Sequence, residues 1–390
     1  MLQHANDDAT FRAAVKDWVR EAVQRLPERA EGESLHAHNI RQQKAWMAEM
    51  NREGLATAHW PKAYGGADLP LRNRAALVEE YVRAGAPSPT LYVISHNHIP
   101  ATLIPWGTDW QKETYLPAAA QGEIWCQGFS EPGAGSDLAS LRTRARREGD
   151  DYIINGQKIW SSYSMYASRA ILLARTDPDA PKHAGISYFL LDLSAPGVEV
   201  RPIRQANGHA KFAEIFLTDV RVPLRDRVGE EGDGWKIAQS TLASERGLFW
   251  IDTIERAHMR LKTLRAEAVA GGDWARDVEL SRQFADLWVV VQGLRQIMRE
   301  MLYDETSAKA KDLVSTAALK VLCSEMRRDL GTFLIQIGST DRYLVEEDAD
   351  DILGGAMFVR MSQYSSFFGG GTNEIMRNII AERGLGMPRQ

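Results

Sequence analysis

The residues able to do chemistry in this chain gather in three short stretches. Phe129-Ser130-Glu131-Pro132-Gly133-Ala134-Gly135-Ser136-Asp137 follows Trp125-Cys126-Gln127-Gly128 and mixes hydroxyls, carboxylates and glycines. Such a loop can turn backbone N–H groups toward an anion or a ring carbonyl, or it can be a structural turn. Ile159-Trp160-Ser161-Ser162 sets an indole beside two hydroxyls, suited to stacking on a flat ring and hydrogen-bonding its edge. The competing reading is a tryptophan that fills the core of a sheet. Gly369-Gly370-Gly371-Thr372-Asn373-Glu374 opens a final helix. A helix start after glycines can hold phosphate or simply be capped.

Other chemistries lack their residues. Gly133-Ala134-Gly135-Ser136-Asp137-Leu138 begins like a dinucleotide fingerprint, but Leu138 takes the third glycine position; a P-loop and a Gly-x-Ser-x-Gly elbow are absent. His96 and His98 flank Asn97 without an acidic or cysteine partner at ligand spacing, so no metal site is expected. Cys126 and Cys323 stand far apart, which fits a reducing compartment without disulfides. The 47 Lys+Arg against 52 Asp+Glu leave −5, no basic footprint for nucleic acid or an anionic membrane. No apolar run approaches the ~18–20 residues of a membrane span, and the polar start Met1-Leu2-Gln3-His4-Ala5-Asn6-Asp7-Asp8 is unlike a signal or transit peptide. A cytoplasmic protein is expected. The 390 residues, 44% hydrophobic and 25% charged, allow two or three domains. The eleven tryptophans serve helix interfaces or flat ligands.

The elements that must position these stretches follow from hydrophobic period. Phe11, Val15, Trp18, Val19 and Val23 form one helical stripe; Ile40, Trp46, Met47, Met50 and Leu55 form another. Residues 75–86 form a third, with the carboxylate pair Glu79-Glu80, broken by Pro87 and Pro89. From about residue 125 to 228 the period shortens. Tyr152-Ile153-Ile154-Asn155-Gly156-Gln157-Lys158-Ile159-Trp160 predicts a hairpin turning at Asn155-Gly156. Residues 170–174, 186–193, 198–203 and 213–222 are further strands, together predicting a small antiparallel barrel or sandwich. After Gly234 the helical period returns. One stripe runs from Leu280 through Phe284, Leu287, Trp288, Val291, Leu294, Ile297, Met298 and Met301 to Leu302. A second runs from Leu313 through Leu319, Leu322, Met326, Leu330 and Phe333 to Ile337. Long stripes of this kind predict an antiparallel bundle.

Taken together, the order and the motifs resemble the acyl-CoA dehydrogenase family over nearly the whole chain. The most specific stretches are Trp60-Pro61-Lys62-Ala63-Tyr64-Gly65-Gly66, the 130–137 loop, Asn155-Gly156-Gln157-Lys158-Ile159-Trp160 and Gly371-Thr372-Asn373-Glu374-Ile375-Met376-Arg377. The resemblance implies an α+β, mostly α fold: an N-terminal helical domain (1–123), a middle antiparallel β-domain (124–230) and a C-terminal four-helix bundle (231–390). It implies FAD as cofactor and an acyl-CoA thioester as substrate. Phe129, Ser130, Trp160 and Ser162 would meet the flavin ring, with Gly135 and Ser136 near its phosphate or the CoA arm. Thr372 and Glu374 would reach the FAD phosphates and ribose, and Gln336 the adenine of a neighbouring subunit. Two departures fall on those cross-subunit contacts. The usual Gly-Gly-Asn-Gly after Gln336-Ile337 reads Gly338-Ser339-Thr340-Asp341, and the Arg-x-x-Phe-Gly phosphate ligand is missing before Leu280.

The resemblance also implies the base. Many members carry Glu directly before Gly-Thr, where this chain has Gly370; a second group carries it on the first bundle helix, before an Arg. Leu242-Ala243-Ser244-Glu245-Arg246 matches that second pattern. Glu245 would then take the α-proton, Arg246 would contact substrate, and the Gly370 backbone N–H would bind the enolate oxygen. The expected reaction is dehydrogenation to the 2-enoyl-CoA, with electron-transfer flavoprotein as acceptor, in a homotetramer or a heterotetramer with a related chain. The alternatives are a silent subunit of a heteromeric enzyme, or a relative using the flavin for nitroalkane oxidation or desulfination.

Overall fold

Helices, strands and helices follow one another along the chain, as the change of hydrophobic period requires. The computed structural model describes residues 8–244, 249–303, 313–338 and 356–388. The first helices are α1 (Asp8–Gln24), α2 (Leu35–Arg52), α3 (Leu71–Arg83), α4 (Ile99–Trp106) and α5 (Asp109–Ala120). The strands are β1 (Trp125–Gly128), β2 (Arg144–Glu148), β3 (Asp151–Ser162), β4 (Arg169–Arg175), β5 (Ile186–Asp192), β6 (Val198–Ile203), β7 (Phe212–Pro223) and β8 (Arg227–Val228). Then come α6 (Gly234–Ser244), α7 (Phe249–Val269), α8 (Val278–Tyr303), α9 (Leu313–Gln336), α10 (Ala356–Ser362), α11 (Tyr364–Phe368) and α12 (Asn373–Ile379). These residues form two compact units: those falling within 1–49, 68–88 and 246–390 make the first, and those within 50–67 and 89–245 the second.

The second unit is built on a sheet of order β6-β7-β3-β2-β4-β5-β8, with β1 paired parallel to β4. Apart from that pair and one β2–β4 contact, the pairings are antiparallel. Because successive side chains point to opposite faces and both faces are packed, the interiors of β4 and β5 are almost wholly apolar. Ile171, Leu173, Ile186, Tyr188 and Leu190 pack with Ile99, Leu103, Leu116 and Ile237 of α4, α5 and α6. Their neighbours Ala170, Leu172, Ala174, Phe189 and Leu191 pack with Tyr152, Ile154, Ile215 and Val220 of β3 and β7. Both faces of these two strands are covered.

The expected hairpin at Asn155-Gly156 is not formed: β3 runs unbroken from Asp151 to Ser162. The dipeptide instead makes a bulge against β7, with the register shifting between Ile154 and Gly156. Its turn chemistry is used sideways. Asn155 donates through Nδ2 to Asp219 Oδ1 and accepts from the Asp219 N–H, both at 2.9 Å. Asp219 takes the complementary positive φ of 49°. Gly156 is required by crowding, since a Cβ there would lie 2.4 Å from Thr143 Oγ1 and 2.7 Å from Thr143 Cα. With neighbours on both edges, β3 has no room to turn back.

In the first unit, the stripes of α1 and α3 are buried as expected: Phe11, Val15 and Val19 on one, Ala75, Leu77 and Val82 on the other. The Glu79-Glu80 pair is buried and neutralised by Arg12 at 2.7 and 2.9 Å and by Arg83. The bundle core joins Trp250, Ile254, Leu261 and Leu264 of α7 to Leu287, Val291, Leu294 and Met298 of α8 and Leu319, Met326, Leu330 and Phe333 of α9. The short helices α10 to α12 lie along α9 and complete the bundle. Among the described stripe residues, two are turned to the surface. Ile297 is 40% and Leu322 41% exposed, because each stripe is wider than the face one bundle buries.

Candidate active site

The strand β1 delivers the chain into the 129–137 loop, and the loop is bonded back to β3. Ser130 O accepts from Ile159 N at 2.9 Å, while Glu131 and Ala134 exchange backbone bonds at 3.0 Å. Phe129 is buried edge-on to Tyr188, with ring centroids 5.8 Å apart. Beneath the loop, Lys158 is wholly buried and donates to Glu131 Oε1 at 2.8 Å and to Phe129 O at 3.2 Å. The Glu131 carboxylate also accepts from Arg142 N at 2.6 Å and Thr143 N at 2.8 Å.

Burial opposes the charge of Glu131, but the Lys158 ammonium and the N–H donors outweigh it and hold the carboxyl below its ordinary value. For Lys158 burial prevails over the same partner and pulls the ammonium down to about 8. This pair ties the loop to β3, and sequence reasoning missed it. Its signal was present: alternation along β3 turns Lys158 inward, and an inward lysine needs a buried partner.

Trp160 follows one residue beyond the Ile159 bond. It sits in a second bulge of β3, between Lys158 and Ser161, at φ 63°. A left-handed tryptophan costs roughly 1–3 kcal/mol and persists only where the surroundings hold it. Here the strain turns the indole out of the sheet, 57% exposed, against the edge of Phe212 at 6.2 Å. The core reading of this tryptophan therefore does not hold. Ser130 and Ser162 are half-buried, and Gly135 and Ser136 are exposed farther along the loop. The structure thus brings Phe129, Ser130, Trp160 and Ser162 to one end of β3.

The first unit carries the remaining described residues. Gly370 and Gly371 take φ of 66° and 88°, conformations that glycine adopts freely. Thr372 caps α12 by accepting from Ile375 N at 3.2 Å. Glu374 is exposed and lies 3.5 Å from Arg377, which also meets Glu325 at 2.6 Å. Gln336 is exposed at the last residue of α9. Glu245, Arg246 and residues 339–341 lie outside the described residues.

The histidines of the 94–98 segment are core residues. His96 stacks on Tyr92 and meets Ala119 O through Nε2 at 3.1 Å, while its own carbonyl accepts from Trp60 Nε1 at 2.8 Å. Burial pulls His96 down to about 4 and His98 to about 3. Among the described residues no three His, Cys, Asp or Glu gather as a metal site, and no helix is long and apolar enough to cross a membrane.

A flavin fits this donor set. An outward indole, two half-buried hydroxyls and loop backbone offer a stacking face with hydrogen bonds at its edge. The buried Ser161 Oγ, which has no partner among the described residues, adds a polar atom beside them.

The chain matches family models along its length: the acyl-CoA dehydrogenase N-terminal domain at residues 5–123, the middle domain at 126–220 and the C-terminal domain at 232–385. It is 35% identical to the acyl-CoA dehydrogenase IpdE1 of Mycobacterium tuberculosis, over 98% of this chain and 99% of that protein. It is 27% identical to the mouse (Mus musculus) mitochondrial short-chain specific acyl-CoA dehydrogenase, over 86% of this chain and 81% of that one. Among solved structures, the Tcur3481-Tcur3483 steroid ACAD matches with a TM-score of 0.82 at 29% identity, covering 100% of both chains. The ChsE4-ChsE5 complex from Mycobacterium tuberculosis matches with a TM-score of 0.82 at 30% identity over 99% of both. The chain belongs to the acyl-CoA dehydrogenase family and is an FAD-dependent oxidoreductase of that fold.

Proposed function

We propose that this chain removes hydrogen from Cα and Cβ of an acyl-CoA thioester to give the 2-enoyl-CoA. The observation that carries the reading is the outward, strained Trp160 beside a Phe129-Ser130 segment that Lys158 and Glu131 lock in place. Phe129, Ser130, Trp160 and Ser162 would hold the flavin ring, Gly135 and Ser136 its phosphate or the CoA arm, and Thr372, Glu374 and Gln336 the rest of the cofactor. When bound, FAD supplies the acceptor for the hydride that leaves Cβ. Glu245 takes the α-proton, which requires a desolvated carboxylate of raised pKa. Arg246 contacts the substrate, and the Gly370 N–H donates to the thioester oxygen as it gains negative charge. The three-domain division at 1–123, 124–230 and 231–390 goes with this reading.

The substrate class we favour is a CoA ester with a branched, cyclic or steroid-like acyl group. Glycine at 370 removes the side chain that fills this position in many members, and a steroid ACAD is among the similar structures. A second reading is a subunit that completes a heteromeric enzyme. Two of the similar structures carry paired names, Tcur3481-Tcur3483 and ChsE4-ChsE5, and this chain departs from the family pattern just after Gln336. In either assembly, electron-transfer flavoprotein is the proposed acceptor and the cytoplasm the proposed location. An anaerobic titration of the purified yellow protein against a panel of acyl-CoA esters tests the function. Bleaching of the flavin band by a ring-bearing or branched ester supports dehydrogenation. A flavin-free protein points to the subunit reading, and a flavin that no ester bleaches points to other flavin chemistry.

A further inference from the structure

A buried lysine lies under the glycine turn at 369–371. Lys320, on α9, is 4% exposed. Its ammonium donates to Phe367 O at 3.2 Å and to Asn373 Oδ1 at 2.5 Å, one partner before the turn and one after it. One turn farther along α9, Ser324 donates to Ser366 O at 3.1 Å, so both residues grip the same approach to the glycines. Asn373 is itself fully buried. Between these anchors Gly369 N donates to Ser365 O, while the N–H groups of Gly370 and Gly371 have no acceptor among the described residues. The turn is fixed at its ends and leaves its middle donors open.

The choice of a lysine is informative. Taking an ammonium out of water costs several kcal/mol, and here both acceptors are neutral oxygens. Burial pulls Lys320 down to about 8, with Glu374 opposing at longer range and Arg377 adding to the fall. An apolar side chain would fill the same space on α9 without that cost. The charge gains a use if negative charge forms beside the turn.

We propose that Lys320 is a positioning residue for the reaction: it pins the turn so that the Gly370 N–H meets the thioester oxygen, and its unneutralised charge favours the negative charge that develops there. This rests on the reading of Gly370 as an oxyanion donor.

Three variants test it. K320M keeps the side-chain volume and removes the charge and both bonds. Hydrogen exchange at the 369–373 amides of the flavin-free protein should rise at least about fivefold. Flavin reduction by a good acyl-CoA ester should slow at least about tenfold, with ester affinity changed less than about threefold. K320R restores the charge and should recover most of that rate. N373D gives the ammonium a buried counter-ion, so the protein should melt at the same or a higher temperature and yet reduce its flavin more slowly. A purely structural lysine predicts no rate loss in N373D; that result would overturn the electrostatic role. Unchanged exchange in K320M overturns the pinning role, including when no ester reduces the wild-type flavin and the dehydrogenase reading itself has failed. If K320M does not fold, the N373D rate and melting temperature decide.

Discussion

Glu245 is the residue on which the proposed reaction turns, because no other carboxylate is placed by motif to replace it. Glu245→Gln keeps volume and hydrogen bonding but cannot accept the α-proton. Flavin reduction should fall by at least ~10²–10⁴-fold. FAD content should stay unchanged, and acyl-CoA binding should survive as a perturbed flavin spectrum without bleaching. The double variant Glu245→Gly with Gly370→Glu moves the carboxylate to the other family position and should recover part of the rate. Near-normal reduction by Glu245→Gln refutes the assignment. The Glu131–Lys158 pair acts through structure rather than proton transfer. Glu131→Gln or Lys158→Met leaves one buried charge alone and should cost about 3–5 kcal/mol in urea unfolding. The double variant should recover part of that loss, because both charges leave together. Both singles should also retain less FAD, since Lys158 holds the Phe129 carbonyl.

At the scale of elements, two features carry consequences for stability. Gly156→Ala drives a Cβ into Thr143 of the segment leading into β2, and relief requires backbone movement. It should destabilise the fold by about 1–3 kcal/mol in urea unfolding, with no loss at Gly149→Ala beyond the cost of its positive φ. His96 and His98 have folded-state pKa values depressed by burial below the ordinary histidine value. Their neutral forms therefore stabilise fully above about pH 6.5, and the contribution is lost as pH falls toward 4. From pH 7 to 5 each ring should remove about 2 kcal/mol, and His98→Phe should lessen the loss of stability over that range by about the same amount. Most elements were legible in the sequence, since the stripes of α1, α2 and α3 and the limits of β6 follow from apolar spacing alone. The Asn155-Gly156 bulge was not, because a two-residue turn and a bulge need the same backbone freedom and only the neighbouring strands decide between them. The stretches proposed to hold the flavin were visible as motifs. The buried Lys158 and Lys320 were missed, because a lysine reads as surface unless the alternation or period of its element is followed to the face it occupies.

For the whole molecule, the surface of the bundle indicates how many chains assemble. Val289 is 68% exposed, Val290 44% and Ile297 40%, and with Gly293 they make an apolar strip at intervals of about one turn along α8. Leu322 on α9 adds a further exposed apolar side chain. A strip of this kind on a helix that already buries Leu287, Val291, Leu294 and Met298 on its other face is more than a single bundle uses. We expect it to meet another chain of the same fold and to build a tetramer. Light scattering of the purified protein should give four chains. Val289→Glu with Ile297→Glu should break the assembly, because two carboxylates would be left without water or partners in the contact. If this chain is one of two kinds, it will be smaller and flavin-poor alone and will reach the tetramer, with FAD, only when made together with its related partner. A stable monomer that retains FAD and reduces it with acyl-CoA would refute both assemblies, since the active site would then be complete within one chain.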